Sequence, residues 1–388
     1  MHNFPVWPQF EQDEIDLVVK ILQSGKTNTW VGEHVKKFES EFADYITMPH
    51  ALAVCNGTLA LELALSCLEI SSKDDVIIPS KSYIATASSV VMMGANPIFA
   101  DIDINTNNIT LDAIKKSITD KTKCIIVVHL GGYPCEMDEI CDFAKKNKLF
   151  LIEDCAQAHG AEYKQKKVGS FGDASIFSFC QDKIISTGGE GGMLLLRDKE
   201  AWKKGWAFRD HGKDYQIMQN TENHQGFPWP HTSIGTNWRM TEIQAAIGRL
   251  QLAKLPKWLK QRRDNAFYLL EKLAELDCLT IPEFPDYIFH SFYRVYIQLN
   301  IEKLKHTWDK NKIIHEINKV GVPCYEGSCN EIYKESAFRI KDKPLESLPN
   351  AKKLGQTSIC LLCHPTLELS DINSMSETII NVLKNASK

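Results

Sequence analysis

The chain has 388 residues, 44% of them hydrophobic and 24% charged, and its net charge of −4 gives no reason to expect nucleic acid or an anionic membrane as a partner. The length allows two domains with extensive cores. No apolar run approaches the roughly 20 residues that span a bilayer, and the N-terminus lacks the pattern of a signal peptide. The 12 cysteines are scattered, mostly in apolar segments, so we expect reduced thiols in a cytoplasmic protein.

Two amphipathic helices are predicted at the start of the chain. Apolar residues recur at helical spacing between Ile15 and Leu22, and Gly25 supplies a stop. After Gly32 the apolar residues of a second helix share one face: Val35, Phe38, Phe42 and Tyr45.

Short apolar runs then alternate with amphipathic segments such as Leu59–Leu68 and Met137–Lys146. Seven runs are predicted strands: Ala51–Cys55, Val76–Pro79, Pro97–Asp101, Cys124–His129, Phe150–Glu153, Ser175–Phe179 and Met193–Leu196. This alternation predicts an α/β fold with a mostly parallel seven-stranded sheet between layers of helices. Ligands of such sheets bind beyond the carboxyl ends of the strands, where Asn56, Asp154 and Lys183 are expected.

The pattern changes after Asn237. Met240–Leu273 reads as a long helix with a break expected at Pro256, followed by a short strand (Tyr293–Leu299) and helices (His306–Val320, Ile372–Leu383). We therefore predict a large domain of residues 1–250 and a smaller C-terminal α+β domain of residues 251–388.

No metal site is predicted. Cys360 and Cys363 form a lone Cys-x-x-Cys beside His364, and without a second pair at metal spacing a buried strand is favoured over zinc. The sequence also lacks a Walker loop, a strand-anchored Gly-x-Gly-x-x-Gly, a His-Glu-x-x-His helix and a Gly-x-Ser-x-Gly elbow.

The segment from Phe150 to Gly192 carries the strongest chemical signal. One apolar strand ends in Asp154, and a second carries Ser178 and leads to Lys183, ahead of a glycine-rich turn. A lysine amine can form a Schiff base with an aldehyde, and a carboxylate can hold a pyridine nitrogen protonated. Pyridoxal phosphate requires both from a protein.

Each residue also has a simpler interpretation. Asn56-Gly57-Thr58 can be a turn with a helix cap instead of a phosphate site, and Tyr83 can be packing instead of a ring-stacking group. Asp154 can be an N-cap with Gln157 as its capping-box partner. Ser178 can be a buried strand serine and Lys183 a surface lysine. Their joint occurrence in this order favours the cofactor pocket.

The chain resembles the DegT/DnrJ/EryC1/StrS group of sugar-nucleotide aminotransferases, which have the aspartate aminotransferase type of fold, fold type I of the pyridoxal-phosphate enzymes. The resemblance covers essentially the whole chain and lies in Ser24-Gly25-Lys26, Gly32, Asn56-Gly57-Thr58, Tyr83-Ile84-Ala85-Thr86, Glu153-Asp154, Gln157-Ala158-His159-Gly160, Gly169-Ser170-Phe171-Gly172-Asp173, Phe177-Ser178-Phe179, Lys183, Arg209-Asp210-His211-Gly212 and Gly235-Thr236-Asn237-Trp238-Arg239-Met240.

The resemblance implies roles around the cofactor ring. Lys183 would form the Schiff base and move the proton of the substrate's alpha carbon, and Asp154 would pair with the pyridine nitrogen. Gln157 would hydrogen-bond the phenolic oxygen, and Tyr83 would lie over the ring.

The resemblance also implies how the cofactor phosphate is held. Gly57, Thr58 and Ser178 would bind it from one chain. Asn237 would reach it from the neighbouring subunit, so a homodimer with shared active sites is expected.

By the same resemblance, the activity would be transfer of the amino group of L-glutamate to a nucleotide-linked keto sugar. The favoured acceptor position is C4 of an NDP-4-keto-6-deoxy hexose, and among such sugars a UDP-linked 2-acetamido sugar is preferred. The alternative acceptor position is C3 of an NDP-3-keto sugar. The expected substrate contacts are Lys26, Trp30, His159, Lys213 and Arg239. The residues that decide the sugar, the carbon and the nucleotide are expected in loops around residues 25–32, 209–233 and 322–333.

Two alternatives of another class stay open. One branch of the family replaces the lysine with histidine and performs dehydration, and here Lys183 is present. A non-catalytic regulator that binds pyridoxal phosphate would need a DNA-binding module, and the residues before Ala51 show no basic helix-turn-helix pattern. The chain departs from the family in Cys180-Gln181-Asp182, which we expect to affect the substrate side.

Overall fold

The computed structural model describes residues 4–219, 229–338 and 347–388. Its helices are α1 Gln12–Ser24, α2 His34–Ile46, α3 Gly57–Cys67, α4 Ala85–Met92, α5 Leu111–Ser117, α6 Met137–Lys146, α7 Lys199–Arg209, α8 Tyr215–Gln219, α9 Glu242–Leu273, α10 Lys310–Lys319, α11 Pro349–Thr357 and α12 Leu369–Ala386. Its strands are β1 His50–Val54, β2 Asp75–Pro79, β3 Asn96–Ala100, β4 Thr122–Val128, β5 Phe150–Asp154, β6 Glu162–Tyr163, β7 Lys166–Lys167, β8 Ala174–Ser178, β9 Gly192–Leu196, β10 Leu279–Thr280, β11 Ile288–Phe289, β12 Val295–Leu299, β13 Cys324–Tyr325 and β14 Ser358–Leu361.

The seven predicted strands form one sheet in the order β1-β9-β8-β5-β4-β2-β3. Neighbouring strands are parallel except β9, which runs antiparallel to both β1 and β8. The sheet is buried on both faces because alternate side chains enter different cores. In β9, Met193 and Leu195 pack with α2 and α9, whereas Leu194 and Leu196 pack with α3. The predicted α/β architecture is confirmed.

A second, antiparallel sheet has the order β10-β12-β14-β13. It packs against α10 and α12 and against the C-terminal part of α9, around Leu269, Ile313 and Ile379. Cys360 lies in β14 and Cys363 follows it, and both thiols are buried. The interpretation of this pair as part of a buried strand segment therefore agrees with the structure.

The helix α9 passes through Pro256 without ending, so the break predicted there is wrong. A proline inside a helix removes one backbone hydrogen bond. Here Leu252, Leu255 and Leu259 bury the flanking turns and offset that loss. The domain boundary near residue 250 stays a prediction, since α9 runs from the first core into the second. Among the described residues, none of the helices is both long and apolar enough to cross a membrane.

The apolar side of α1 faces outward. Ile15, Val19 and Leu22 are 47%, 44% and 57% exposed, whereas the buried positions are Glu14 and Ile21. The carboxylate of Glu14 accepts hydrogen bonds from residues of α9, which turns the acidic face of α1 inward. An apolar strip therefore remains on the surface of the single chain.

Candidate active site

A cavity of about 740 Å³ lies beyond the carboxyl ends of the central strands. Its other wall comes from the start of β12 and from residues near β13, so both cores contribute to it. The volume is in the range of small-molecule sites, and the location follows the rule for parallel α/β sheets. The cavity contains seven of the predicted cofactor residues: Gly57, Thr58, Tyr83, Asp154, Gln157, Ser178 and Lys183.

Asp154 is a buried carboxylate at the end of β5. Its Oδ1 accepts a hydrogen bond from the amide of Ala156 at 3.1 Å, and its Oδ2 accepts one from the Thr86 hydroxyl at 3.0 Å. Burial raises the pKa of Asp154, because the charged form loses water. No helix begins between Asp154 and β6, so the interpretation of Asp154 and Gln157 as a capping box is wrong. Asp154 instead offers a carboxylate to a cationic ligand group.

Lys183 follows a tight turn after β8. Its carbonyl accepts a hydrogen bond from Trp7 Nε1 at 2.7 Å, and its Nζ lies 3.5 Å from the Tyr293 hydroxyl. The side chain is 16% exposed, so Lys183 is a pocket residue and not a surface lysine. Its amine is therefore placed to react with a ligand in the same cavity as Asp154.

The N-terminus of α3 forms one end of the cavity. Asn56 caps the helix by accepting from the Leu59 amide at 2.9 Å, so the cap interpretation is correct. Its first residues, Gly57 and Thr58, line the cavity beside Ser178. First-turn amides of a helix lack partners within the helix and attract anions.

Glycine is required where this turn meets its neighbours. A Cβ on Gly57 would lie 2.7 Å from the Ser178 Cβ, and a Cβ on Gly192 would lie 2.3 Å from the Asn56 carbonyl oxygen. Gly192 is the last residue of the glycine-rich turn after Lys183, and its lack of a side chain lets β9 approach the Asn56–Gly57 turn.

Gln157 is oriented by a backbone contact. Its Oε1 accepts a hydrogen bond from the Gly131 amide at 2.8 Å, which directs the amide nitrogen the other way, where it donates to Ser328 Oγ at 3.3 Å. The nitrogen is thus a donor at the cavity wall. Tyr83 lines the same cavity and is 66% exposed, so one face of its ring is available to a ligand or a partner chain.

The expectation that His159 contacts a substrate is wrong. Its side chain is 1% exposed and packs between Phe177 and Phe179, with ring centroids 5.4 and 5.7 Å away. Burial lowers the pKa of His159 to about 3, so the ring is neutral. Lys26 also lies outside the described cavity lining, on an exposed turn after α1.

The other predicted substrate residues form a cluster around Asp210. Arg239 and Lys213 both pair with this carboxylate, and Lys213 Nζ lies 4.1 Å from the ring centroid of Trp30, which is 41% exposed. Asn237 is exposed and forms a β-bridge with Asp210. The cluster does not line the cavity of its own chain. Residues 220–228 of the predicted loop 209–233 lie outside the described residues.

Four further residues contribute to the site: Thr86, Asp182, Tyr293 and Arg294. The sequence predicted a role on the substrate side for Asp182, as part of Cys180-Gln181-Asp182, but no role for the other three. Thr86 holds Asp154, and it lies three residues after Tyr83, at the start of α4. Tyr293 and Arg294 come from the start of the second sheet, and both contact Asp182. Although burial alone would raise it, the pKa of Asp182 is lowered by Lys183, the Tyr293 hydroxyl and Arg294. No local pattern in the sequence joins these residues.

The lining groups fit pyridoxal phosphate. A cradle too tight for a Cβ at Gly57 suits a phosphate, and a buried carboxylate suits a protonated ring nitrogen. An oriented amide donor suits a phenolic oxygen, and a lysine amine suits an aldehyde. One cavity offers all four groups.

Comparison with known proteins identifies the family of the chain. The DegT/DnrJ/EryC1/StrS aminotransferase family matches residues 8–380. A GDP-perosamine synthase of Escherichia coli O157:H7 is 34% identical over 383 residues, 98% of each chain. A UDP-N-acetyl-3-dehydro-alpha-D-glucosamine 3-aminotransferase of Acidithiobacillus ferrooxidans is 39% identical over 270 residues, 70% of each chain. The crystal structure of an aminotransferase from Psychrobacter cryohalolentis, 44% identical, superposes with a TM-score of 0.96 over 99% of this chain and 100% of that one. The chain therefore belongs to the DegT/DnrJ/EryC1/StrS aminotransferase family and is a sugar aminotransferase that uses pyridoxal phosphate.

Proposed function

We propose that the protein transfers the amino group of L-glutamate to C4 of an NDP-4-keto-6-deoxy hexose, for the synthesis of a surface glycan. Within that class we favour a UDP-linked 2-acetamido sugar. The similarity to a GDP-perosamine synthase supports a nucleotide sugar. C3 of an NDP-3-keto sugar is the second candidate, because a similar protein is named as a 3-aminotransferase of a UDP-N-acetyl sugar. We place the reaction in the cytoplasm, where twelve free thiols stay reduced.

The observation that carries the proposal is that Lys183 and Asp154 share one cavity. Bound pyridoxal phosphate supplies an aldehyde for amine exchange and a ring that accepts electrons. Lys183 takes the proton from the alpha carbon of glutamate and returns a proton to the sugar carbon. Asp154 holds a proton on the ring nitrogen, and Gln157 donates to the phenolic oxygen.

Lys183 argues against the two alternatives of another class. The dehydratases of this family have histidine at this position, whereas a lysine here can accept and return protons throughout amino transfer. A regulator would not need a lysine, a buried carboxylate and an oriented amide in one cavity. The products separate the classes: amino transfer consumes glutamate, whereas dehydration releases water without consuming an amine.

We further propose that two chains share each active site. Asn237 is exposed and lies outside the cavity of its own chain, next to the cluster of Asp210, Lys213 and Arg239. In a two-fold dimer this surface reaches the partner's cavity, where Asn237 binds the cofactor phosphate and the cations bind the anionic sugar nucleotide. Lys26 is a further cation for the nucleotide. The apolar strip on α1 provides surface for a partner chain to cover.

Mixed dimers test the sharing. Lys183→Ala removes the amine, and Asn237→Asp places a carboxylate against the phosphate, so each variant alone should be inactive. If sites are shared, a heterodimer contains one doubly altered site and one intact site, and an equal mixture should regain about a quarter of the wild-type activity. If Asn237 acts within its own chain, every site keeps one lesion and mixing restores nothing.

A substrate panel tests the activity. The protein loaded with pyridoxal phosphate is incubated with L-glutamate and NDP-4-keto or NDP-3-keto sugars that carry UDP, dTDP or GDP. We expect amino sugar and 2-oxoglutarate in equal amounts with a 4-keto sugar, and ping-pong kinetics. Formation of amino sugar from 3-keto sugars alone would favour C3. Absence of amine transfer to every sugar would refute the proposal.

A further inference from the structure

Acidic side chains outnumber basic ones among the described residues that line the cavity. Its described charged lining residues are Asp154, Asp182, Lys183, Glu190 and Arg294. Under the proposed function the amino donor is an anion that must enter this cavity, and Lys183 is occupied by the cofactor chemistry. Arg294 is then the remaining cation among the described lining residues.

Arg294 is fixed between aromatic rings. Its guanidinium carbon lies 4.7 Å from the ring centroid of Tyr293 and 6.0 Å from that of Tyr325, and its backbone amide donates to the Gly131 carbonyl. The side chain is 19% exposed, so its rotamer is set before a ligand arrives. A guanidinium has five N–H donors in a planar fork that matches a carboxylate.

Asp182 already supplies such a carboxylate. Its Oδ2 lies 3.3 Å from Arg294 Nη2, and its Oδ1 lies 3.8 Å from Lys183 Nζ. One carboxylate therefore spans the distance between the two cations. The Asp182 side chain is 48% exposed, so it can move away from Arg294 into water.

An amino acid matches the same span. Its amine and its nearer carboxylate are bonded to one carbon, so the amine can lie where Lys183 reacts while the carboxylate reaches Arg294. We propose that Arg294 binds the carboxylate of L-glutamate next to the transferred amine, and that Asp182 is the internal counterion which this carboxylate displaces. The proposal rests on the proposed function, because it assumes an anionic amino donor.

Glutarate tests the proposal without catalysis, because this five-carbon dicarboxylate has no amine to transfer. Its dissociation constant is measured by calorimetry on the protein loaded with pyridoxal phosphate. Arg294→Gln should bind glutarate roughly 10- to 100-fold more weakly, the loss expected for hydrogen bonds to a charged group. Asp182→Asn should bind it several-fold more tightly, because the competing carboxylate is gone.

Arg263→Gln is the matched control, since it removes the same charge outside the cavity. Arg263 stacks on Phe289 at 4.1 Å and donates to the His290 carbonyl. The control should bind glutarate like the wild type. Thermal unfolding of every variant shows whether the fold is kept. If Arg294→Gln does not fold, the proposal is decided by whether Asp182→Asn binds glutarate more tightly or more weakly than the wild type.

Opposite shifts in the two variants support the proposal. It is overturned if Arg294→Gln binds like the wild type, if the wild type binds no glutarate, or if Asp182→Asn weakens binding, as expected of a pair that only holds the fold. Amino transfer to a keto sugar is measured separately. Transfer by the wild type together with unchanged binding in Arg294→Gln would reject the role of Arg294 and leave the proposed function in place.

Discussion

Replacing Asp154 with asparagine should slow proton transfer far more than it weakens cofactor binding. The asparagine keeps the shape, and its oxygen can still accept from the Ala156 amide. What disappears is the negative charge that keeps the ring nitrogen protonated. The phosphate contacts at Gly57, Thr58 and Ser178 do not involve this charge, so most of the cofactor affinity should remain.

The size of the effect follows from the burial of Asp154. The residue is 5% exposed, so water does not screen its charge. Opposite charges about 4 Å apart at an effective dielectric of about 20 interact by about 4 kcal/mol. Losing that interaction in the step where the ring accepts electrons corresponds to a rate roughly 1,000-fold lower.

The assay is a single-turnover reaction of the loaded protein with excess L-glutamate, followed by the absorbance of the cofactor. The cofactor dissociation constant is measured separately on the apoprotein. Thr86→Val is the control, because it removes one hydrogen bond to Asp154 and keeps the charge, and about a tenfold loss or less is expected. An unchanged rate in Asp154→Asn, with only cofactor affinity reduced, would show that Asp154 is a structural group.

Three further outcomes are expected. Lys183→Ala should abolish the Schiff base absorbance and lower turnover by several orders of magnitude while the circular dichroism stays unchanged; turnover near the wild-type rate would reject its role. Gly57→Ala should weaken cofactor binding by about tenfold or more, because its Cβ meets Ser178, whereas Gly355→Ala, with no atom closer than 3.6 Å, should bind normally. The pKa of His159 is about 3 in the folded chain and about 6.5 when unfolded, so between these values the unfolded state holds the extra proton and stability falls as pH decreases below 6.5. His159→Phe should reduce that fall by about 1 kcal/mol per pH unit in urea unfolding at pH 5–6.5, and an unchanged slope would contradict the assignment.

The seven central strands could be predicted because each contains a short apolar run, and all but the edge strand β3 are mostly buried. Helical spacing likewise predicted α1, but the apolar residues of this helix face outward while Glu14 is buried. Periodicity shows which residues share a face but not what that face contacts, and a surface for a partner chain has the same pattern as a core face. Pro256 was misjudged because local propensity does not include the packing of Leu252, Leu255 and Leu259.

The cofactor groups could be predicted because they lie at or just after the ends of predicted strands and occur along the chain in an order typical of a cofactor pocket. His159 belongs to the segment Gln157-Ala158-His159-Gly160, yet its side chain packs in the core against Phe177 and Phe179. Membership of a motif does not say on which side of the sheet a side chain lies. Arg294 could not be predicted because it belongs to no motif in the sequence. It meets Asp182 across more than a hundred residues of chain, and only the fold brings the two together.

The division of the cavity wall between two cores has a consequence for unfolding. Asp154 and Ser178 belong to the central sheet, whereas Tyr293 and Ser328 belong to the segment around the second sheet. A molecule bound across both walls is lost when either part opens, so it acts as a reversible cross-link between them. At a concentration 100 times its dissociation constant it adds about 2.7 kcal/mol to the free energy of unfolding. Removal of the cofactor should therefore weaken the contact between the two parts at a temperature below that at which either core unfolds.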